Sequence, residues 1–145
     1  MADVRMLEFR RKWNKQVSVI RLTDAADEAA RAVGFWAPGV RSLIIKAYLI
    51  IGADIAAAAS ASVSNLKIEL FDRAADGSGV TLIGTVNNDA TLADDIKHTF
   101  IADGYVVEDT SVIGIEYTQA DFATSAPVAL TGACVVVEYI PFPAV

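Results

Sequence analysis

The sequence predicts an all-β fold, an antiparallel jelly-roll or Greek-key β-sandwich preceded by an N-terminal arm. Three observations carry that expectation. Apolar residues alternate with polar ones in short runs bounded by Gly, Pro, Asn and Asp. Those runs are rich in β-branched and aromatic residues, which suit a pleated surface. Roughly eight or nine of them follow one another at the spacing seen in sandwiches, with loops of varied length. At 145 residues and 15.4 kDa the chain has the size of one domain with one core. The expected division is a basic arm over residues 1–16 and a single sandwich over 17–145.

The chain is organised around the run from Val40 to Asp54, which follows Pro38 and Gly39. With a period of two, Leu43, Ile45, Ala47, Leu49 and Ile51 share one face and are all apolar, while Ser42, Ile44, Lys46, Tyr48 and Ile50 make a mixed face. This predicts a core strand with a partly solvated back. Upstream, Met6, Phe9 and Trp13 lie at i, i+3 and i+7, so the arm fits either a short amphipathic helix or an extended segment. Val17 to Leu22 is the first strand. Asp24 to Arg31, opened by capping-type residues, is a short helix or a polar loop, and Val33 to Ala37 is the second strand.

Downstream, Ile55 to Asn65 is rich in Ala and Ser without a charged face and reads as a loop. Leu66 to Phe71 alternates cleanly, with Leu66, Ile68 and Leu70 inward and Lys67 and Glu69 outward. Asp76-Gly77-Ser78-Gly79 is a turn that returns the chain along Val80 to Val86 as a hairpin, stopped by Asn87 to Asp89. His98 to Ile101, Tyr105 to Val107, Val112 to Thr118 and Ala133 to Ile140 complete the strands. In the last, Ala133, Val135, Val137 and Tyr139 oppose Cys134, Val136, Glu138 and Ile140.

Charge is distributed unevenly. Residues 1–15 hold five basic and two acidic side chains, net +3, whereas the remainder holds seven basic and sixteen acidic, net −9. An acidic body argues against nucleic acid as its partner, and a basic arm suits an acidic surface on a neighbouring copy or another protein. No apolar run approaches the ~18 residues a membrane-spanning helix needs, so no membrane role is expected. No apolar segment precedes a small-residue cleavage site near the start, and the lone Cys134 has no internal disulfide partner, which fits synthesis in the cytosol.

Catalytic signatures are weak. His98 is the one histidine, with neither a G-x-S-x-G elbow nor a cysteine motif to accompany it, and it reads as structural or solvent-facing. One imidazole cannot supply the several ligands of cupin-type metal chemistry. Cys134 lies in an apolar strand and reads as a buried thiol. From Asp72 to Ile83 the chain matches a calcium loop at positions one, five and six, but Ala74 and Ile83 stand where ligands are required, so a hairpin turn is expected. Ser64 to Lys67 has S-x-x-K spacing without its companion motifs. The carboxylates Asp94, Asp95, Asp103, Glu108 and Asp109 read as solvated loop charge. No catalytic, cofactor-binding or metal-ligating residue is therefore assigned, and an enzyme is not expected. The candidates for contact are aromatic: Phe35 and Trp36, adjacent and so on opposite faces, one inward and one an interface anchor, together with Phe9 and Trp13 on the arm.

VGFWAPGVRSLIIKAYLIIGADI, the DGSG hairpin, VVEDTSVIGIEYT and the terminal ACVVVEYIP together resemble small jelly-roll structural proteins of tailed-bacteriophage virions, of the capsid decoration or cementing type. The resemblance spans about residues 17 to 141. It implies a virion protein assembled in the host cytoplasm, a homo-oligomer with a trimer favoured, and the major capsid protein or another virion protein as partner. It further implies that the arm bridges neighbouring capsid subunits. Phe9 and Trp13 would be its apolar anchors and Arg10, Arg11 and Lys12 its steering charges. The alternative reading is a carbohydrate- or receptor-binding jelly-roll module of a head fibre or tail.

Overall fold

The computed structural model describes residues 15–22, 30–60, 65–101, 104–119 and 128–142, with the backbone alone for 30–35. Nine strands are described: β1 (Gln16–Arg21), β2 (Ala30–Trp36), β3 (Ser42–Ile50), β4 (Leu66–Asp72), β5 (Thr81–Asn87), β6 (His98–Ile101), β7 (Tyr105–Val107), β8 (Ile113–Gln119) and β9 (Cys134–Pro141). Among the described residues no helix forms, and so none is long and apolar enough to cross a membrane.

The strands form two antiparallel sheets. One has the order β1-β9-β3-β6, with β7 also on β3, and the other β2-β8-β4-β5. The β4-β5 hairpin is the tip of a long ribbon. Behind it β3 pairs with β6 and β7, then β2 with β8, then β1 with β9, and successive pairs fall alternately in the two sheets. An antiparallel ribbon rolled in this way is a jelly roll, with β6 and β7 sharing one strand position. The expected antiparallel β-sandwich is therefore observed, while residues 1–14 of the expected N-terminal arm lie outside the described residues. The sheets enclose one core to which Leu66, Ile68, Leu70, Ile113 and Ile115 contribute from one side and Ala47, Leu49, Val135 and Val137 from the other, all essentially inaccessible.

β3 departs from the simple alternation expected of it. Ser42 and Ile44 are fully buried, Leu43 and Ile45 only partly so, and from Ala47 onward Ala47, Leu49 and Ile51 are the buried members. The pairing with β9 explains the change, because Ile44 lies opposite Tyr139 and Lys46 opposite Glu138, leaving Ile45 as an extra residue. A β-bulge shifts the pleat by one residue, so the inward face passes from even to odd positions. Ile44, read from the sequence as part of the mixed outer face, is thus a core residue. The Ser42 hydroxyl, buried with it, donates to the Val40 carbonyl at 2.9 Å.

Other differences are local. β2 begins at Ala30, so the end of the segment expected as helix or polar loop is strand, and the rest of that segment lies outside the described residues. Ile55 to Ser60 is loop, tied to Leu92 by an isolated bridge and to Asn88 by the Ala58 N–H. Asn88 does more than stop β5. It is buried, its Oδ1 accepts the Leu66 N–H at 2.8 Å, and its Nδ2 donates to the Ala56 carbonyl at 3.1 Å. The DGSG turn forms as expected, with Gly77 at φ +74°. Such a dihedral is cheap only without a Cβ.

Candidate interaction surface

Several of the side chains that chemistry could draw on are held in structural bonds. His98 is buried, with Nε2 2.8 Å from the Ala93 carbonyl. Asp72 Oδ1 accepts the Ala74 N–H at 2.9 Å and its Oδ2 accepts the Tyr105 hydroxyl at 3.1 Å. Burial, then the charge and hydrogen bond of Asp72, push the Tyr105 phenol up to about 12. Asp76 accepts the Ser78 N–H at 3.0 Å, and that bond, followed by one from the Ser78 hydroxyl, holds the Asp76 carboxyl below its ordinary value. The pseudo-calcium loop is thus a turn whose carboxylates cap its own backbone. Asp54 caps the Asp94 N–H at 2.8 Å, and Glu108 pairs with Arg41 at 3.3 Å. No group of three or more His, Cys, Asp or Glu residues gathers among the described residues. Cys134 corrects the expectation of a buried thiol. It is only partly covered, because it lies on the outer face of its sheet, out of phase with the inward Ala133 and Val135.

The surface that stands out is the outer face of the five-stranded sheet. On β1 the inward positions are Ser18, Ile20 and Leu22, so Lys15, Val17, Val19 and Arg21 form the outer row, where Val17 is 53% and Val19 61% exposed. Lys15 reaches across to Glu138 of β9 at 3.4 Å. Further along the face, Lys46, Tyr48, Lys97, Thr99, Ile101 and Glu138 line a groove of about 270 Å³. Tyr48 is its buried floor, and the Lys97 ammonium stands 4.5 Å from that ring's centroid. At the opposite margin Val106 of β7 is 40% exposed, close in sequence to Glu108. A second groove of about 410 Å³ runs along the loop at Ala53 to Ala57, beside Asn88 and Thr131.

Sequence-predicted contact residues are distributed differently. Trp36 is buried, its ring 4.6 Å from that of Tyr139 between the sheets, and so is the inward member expected of the Phe35–Trp36 pair. Phe35 is the extra residue of a bulge between Gly34 and Trp36, and its side chain lies outside the described residues. Phe9, Arg10, Arg11, Lys12 and Trp13 also lie outside them, as does Asp103. The exposed valines of β1 were not singled out from sequence. VSVIRL alternates with apolar residues in both phases, so only the pairing with β9 says which phase faces water.

No protein-family model and no curated protein matches the chain. Among solved structures, the VP2 subviral particle of infectious bursal disease virus is similar at 16% identity over 89% of this chain and 38% of that one, with a TM-score of 0.26. The structure of the Gx strain of the same virus is similar at 13% identity over 90% and 37%, with a TM-score of 0.28. This chain spans less than two-fifths of those chains.

Proposed function

We propose that this protein is a non-enzymatic structural component of a virion, decorating or cementing a tailed-phage capsid as a homo-oligomer, a trimer being the expected copy number. The observation that carries this reading is the outer face of the five-stranded sheet, where a jelly roll with a filled core leaves Val17, Val19 and Val106 in water beside a regular strand edge. Apolar side chains along an open edge mark protein contact. The +3 arm attached to a −9 body supports a docking role for the arm, with the major capsid protein or another virion protein as its acceptor. The test is imaging of particles with and without the protein. Extra density at the capsid symmetry axes, lost with the protein and restored by adding it, is the expected result, and a protein confined to the tail contradicts it.

One observation favours the alternative of glycan or receptor binding. The groove floored by Tyr48 sets Lys46 and Lys97 against a single carboxylate, Glu138, which gives it a net positive lining for an anionic sugar. Binding of the isolated protein to uronic- or sialic-acid glycans, abolished by Lys46→Ala, is the result that would select it.

A further inference from the structure

We propose that copies of this protein join head to tail through two margins of the five-stranded sheet that carry no further strand among the described residues, β1 of one copy pairing with β7 of the next. The inference rests on the homo-oligomer part of the reading above and is independent of any particle. Its starting point is how unevenly the sheet edges are protected. β2 carries a bulge at Phe35, β5 one at Ile83 and β6 one at Phe100. Bulges of this kind spoil an edge for further pairing. β1 has none. Its six residues pair in unbroken register with β9, it contains no Pro and no Lys, and among the described residues no strand lies on its other side.

Strand direction and register identify the occupant. β1 is antiparallel to β9, β9 to β3 and β3 to β7, so β7 runs opposite to β1. A rotation about an axis along the strands preserves direction and therefore brings the next copy's β7 up to β1 antiparallel. Residues directly opposite in such a pair share a face. With Val17 opposite Val106 of the partner subunit, Lys15 falls opposite Glu108 of the partner subunit and Val19 over Gly104 of the partner subunit. That register joins an apolar pair to an ion pair. Glu108 already meets Arg41, and Lys15 meets Glu138 of its own chain, but the Lys15, Arg41 and Glu108 side chains are exposed, so both contacts are weak and can be shared. Pairing β1 with itself is poorer. One face-matched register sets Lys15 against Arg21 of the partner subunit, and no register within residues 15–22 forms an ion pair, because that segment holds no carboxylate. A head-to-tail contact closes into a ring or runs on as a filament.

Disulfide trapping in a Cys134→Ser background tests the register. Opposed Cα atoms in an antiparallel pair lie within the span of a disulfide. The double variant Val17→Cys/Val106→Cys should, on mild oxidation, give a ladder of covalent oligomers ending at a closed ring, while mixing the two single variants should stop at a dimer. Either single variant alone should stay monomeric on a denaturing gel. A dimer from Val17→Cys alone overturns the proposal in favour of self-pairing, and no cross-link from the double variant overturns it outright. Charge reversal gives an independent reading. Lys15→Glu and Glu108→Lys should each weaken association roughly tenfold by light scattering, and the combined variant should restore it. Failure of the combination to restore association also counts against the register. A monomer at about 100 μM that still decorates particles would sink this inference while leaving the virion reading intact.

Discussion

Tyr117 sits at the centre of β8 with its ring buried and its hydroxyl without a hydrogen-bond partner among the described residues. A buried hydroxyl left unpaired costs about 1–3 kcal/mol, while the ring contributes apolar burial with or without it. Tyr117→Phe should therefore raise stability by about 1 kcal/mol, and the midpoint of urea unfolding checks it. A lower midpoint would mean the hydroxyl is satisfied in solution. Tyr105 makes the opposite case, because its hydroxyl is used. Its phenol titrates near 12 in the fold against about 10 in a free chain. The neutral form is thus favoured by folding, so the stability this group contributes is complete below pH 10 and disappears as pH rises from 10 to 12. Tyr105→Phe should be less stable than the parent at neutral pH, by about 0.5–1.5 kcal/mol for the lost bond to Asp72. That gap should close over the same alkaline interval. A gap that persists beyond pH 12 would show that the loss is one of packing.

At the scale of the strand, the two sheets come closest where β5 passes β6. A Cβ built on Gly84 would overlap the Phe100 carbonyl oxygen, a backbone atom that cannot swing aside. Gly84→Ala should destabilise by about 3 kcal/mol through that overlap. Gly39→Ala, at φ +68° but with nothing within 4 Å, should cost about 1 kcal/mol from its dihedral alone. Equal effects from the two would refute the pinch between sheets. Gly84 shows why some of the fold was legible in sequence and some was not. The alternation of Leu66, Ile68 and Leu70 and the DGSG turn are local signals, and each formed as read. Bulges are not local. Whether Ile44 or Ile45 faces the core depends on how β9 pairs with β3, and no spacing within VRSLIIKAYLIIGAD records that. The same holds for Cys134, whose partial exposure follows from the phase of β9.

For the molecule as a whole, the candidate surface was legible in its charge and hidden in its geometry. The imbalance between arm and body can be counted from residues, but the exposed row Lys15, Val17, Val19 and Arg21 exists only because the rolled ribbon puts β1 at a margin. This placement sharpens the test of the arm. Lys15 belongs to the body, since it pairs with Glu138, and Gln16 Oε1 accepts the Tyr139 hydroxyl at 2.9 Å. The deletion that isolates the arm is therefore residues 1–14, which carry net +2 against −8 for the rest of the chain. The remaining sandwich should fold with unchanged copy number, because β1 and its edge are intact, yet bind particles at least tenfold more weakly. Aromatic anchors buried at a contact carry more binding energy than exposed charges, so Trp13→Ala should reproduce much of that loss at any salt concentration. Neutralising Arg10, Arg11 and Lys12 together should act mainly on the association rate, and its effect should fade as salt rises. A truncated body that decorates particles with undiminished affinity would remove the arm as the docking element. Binding would then have to be sought on the outer face of the sheet, where replacing Val19 by Lys would be the next substitution to measure.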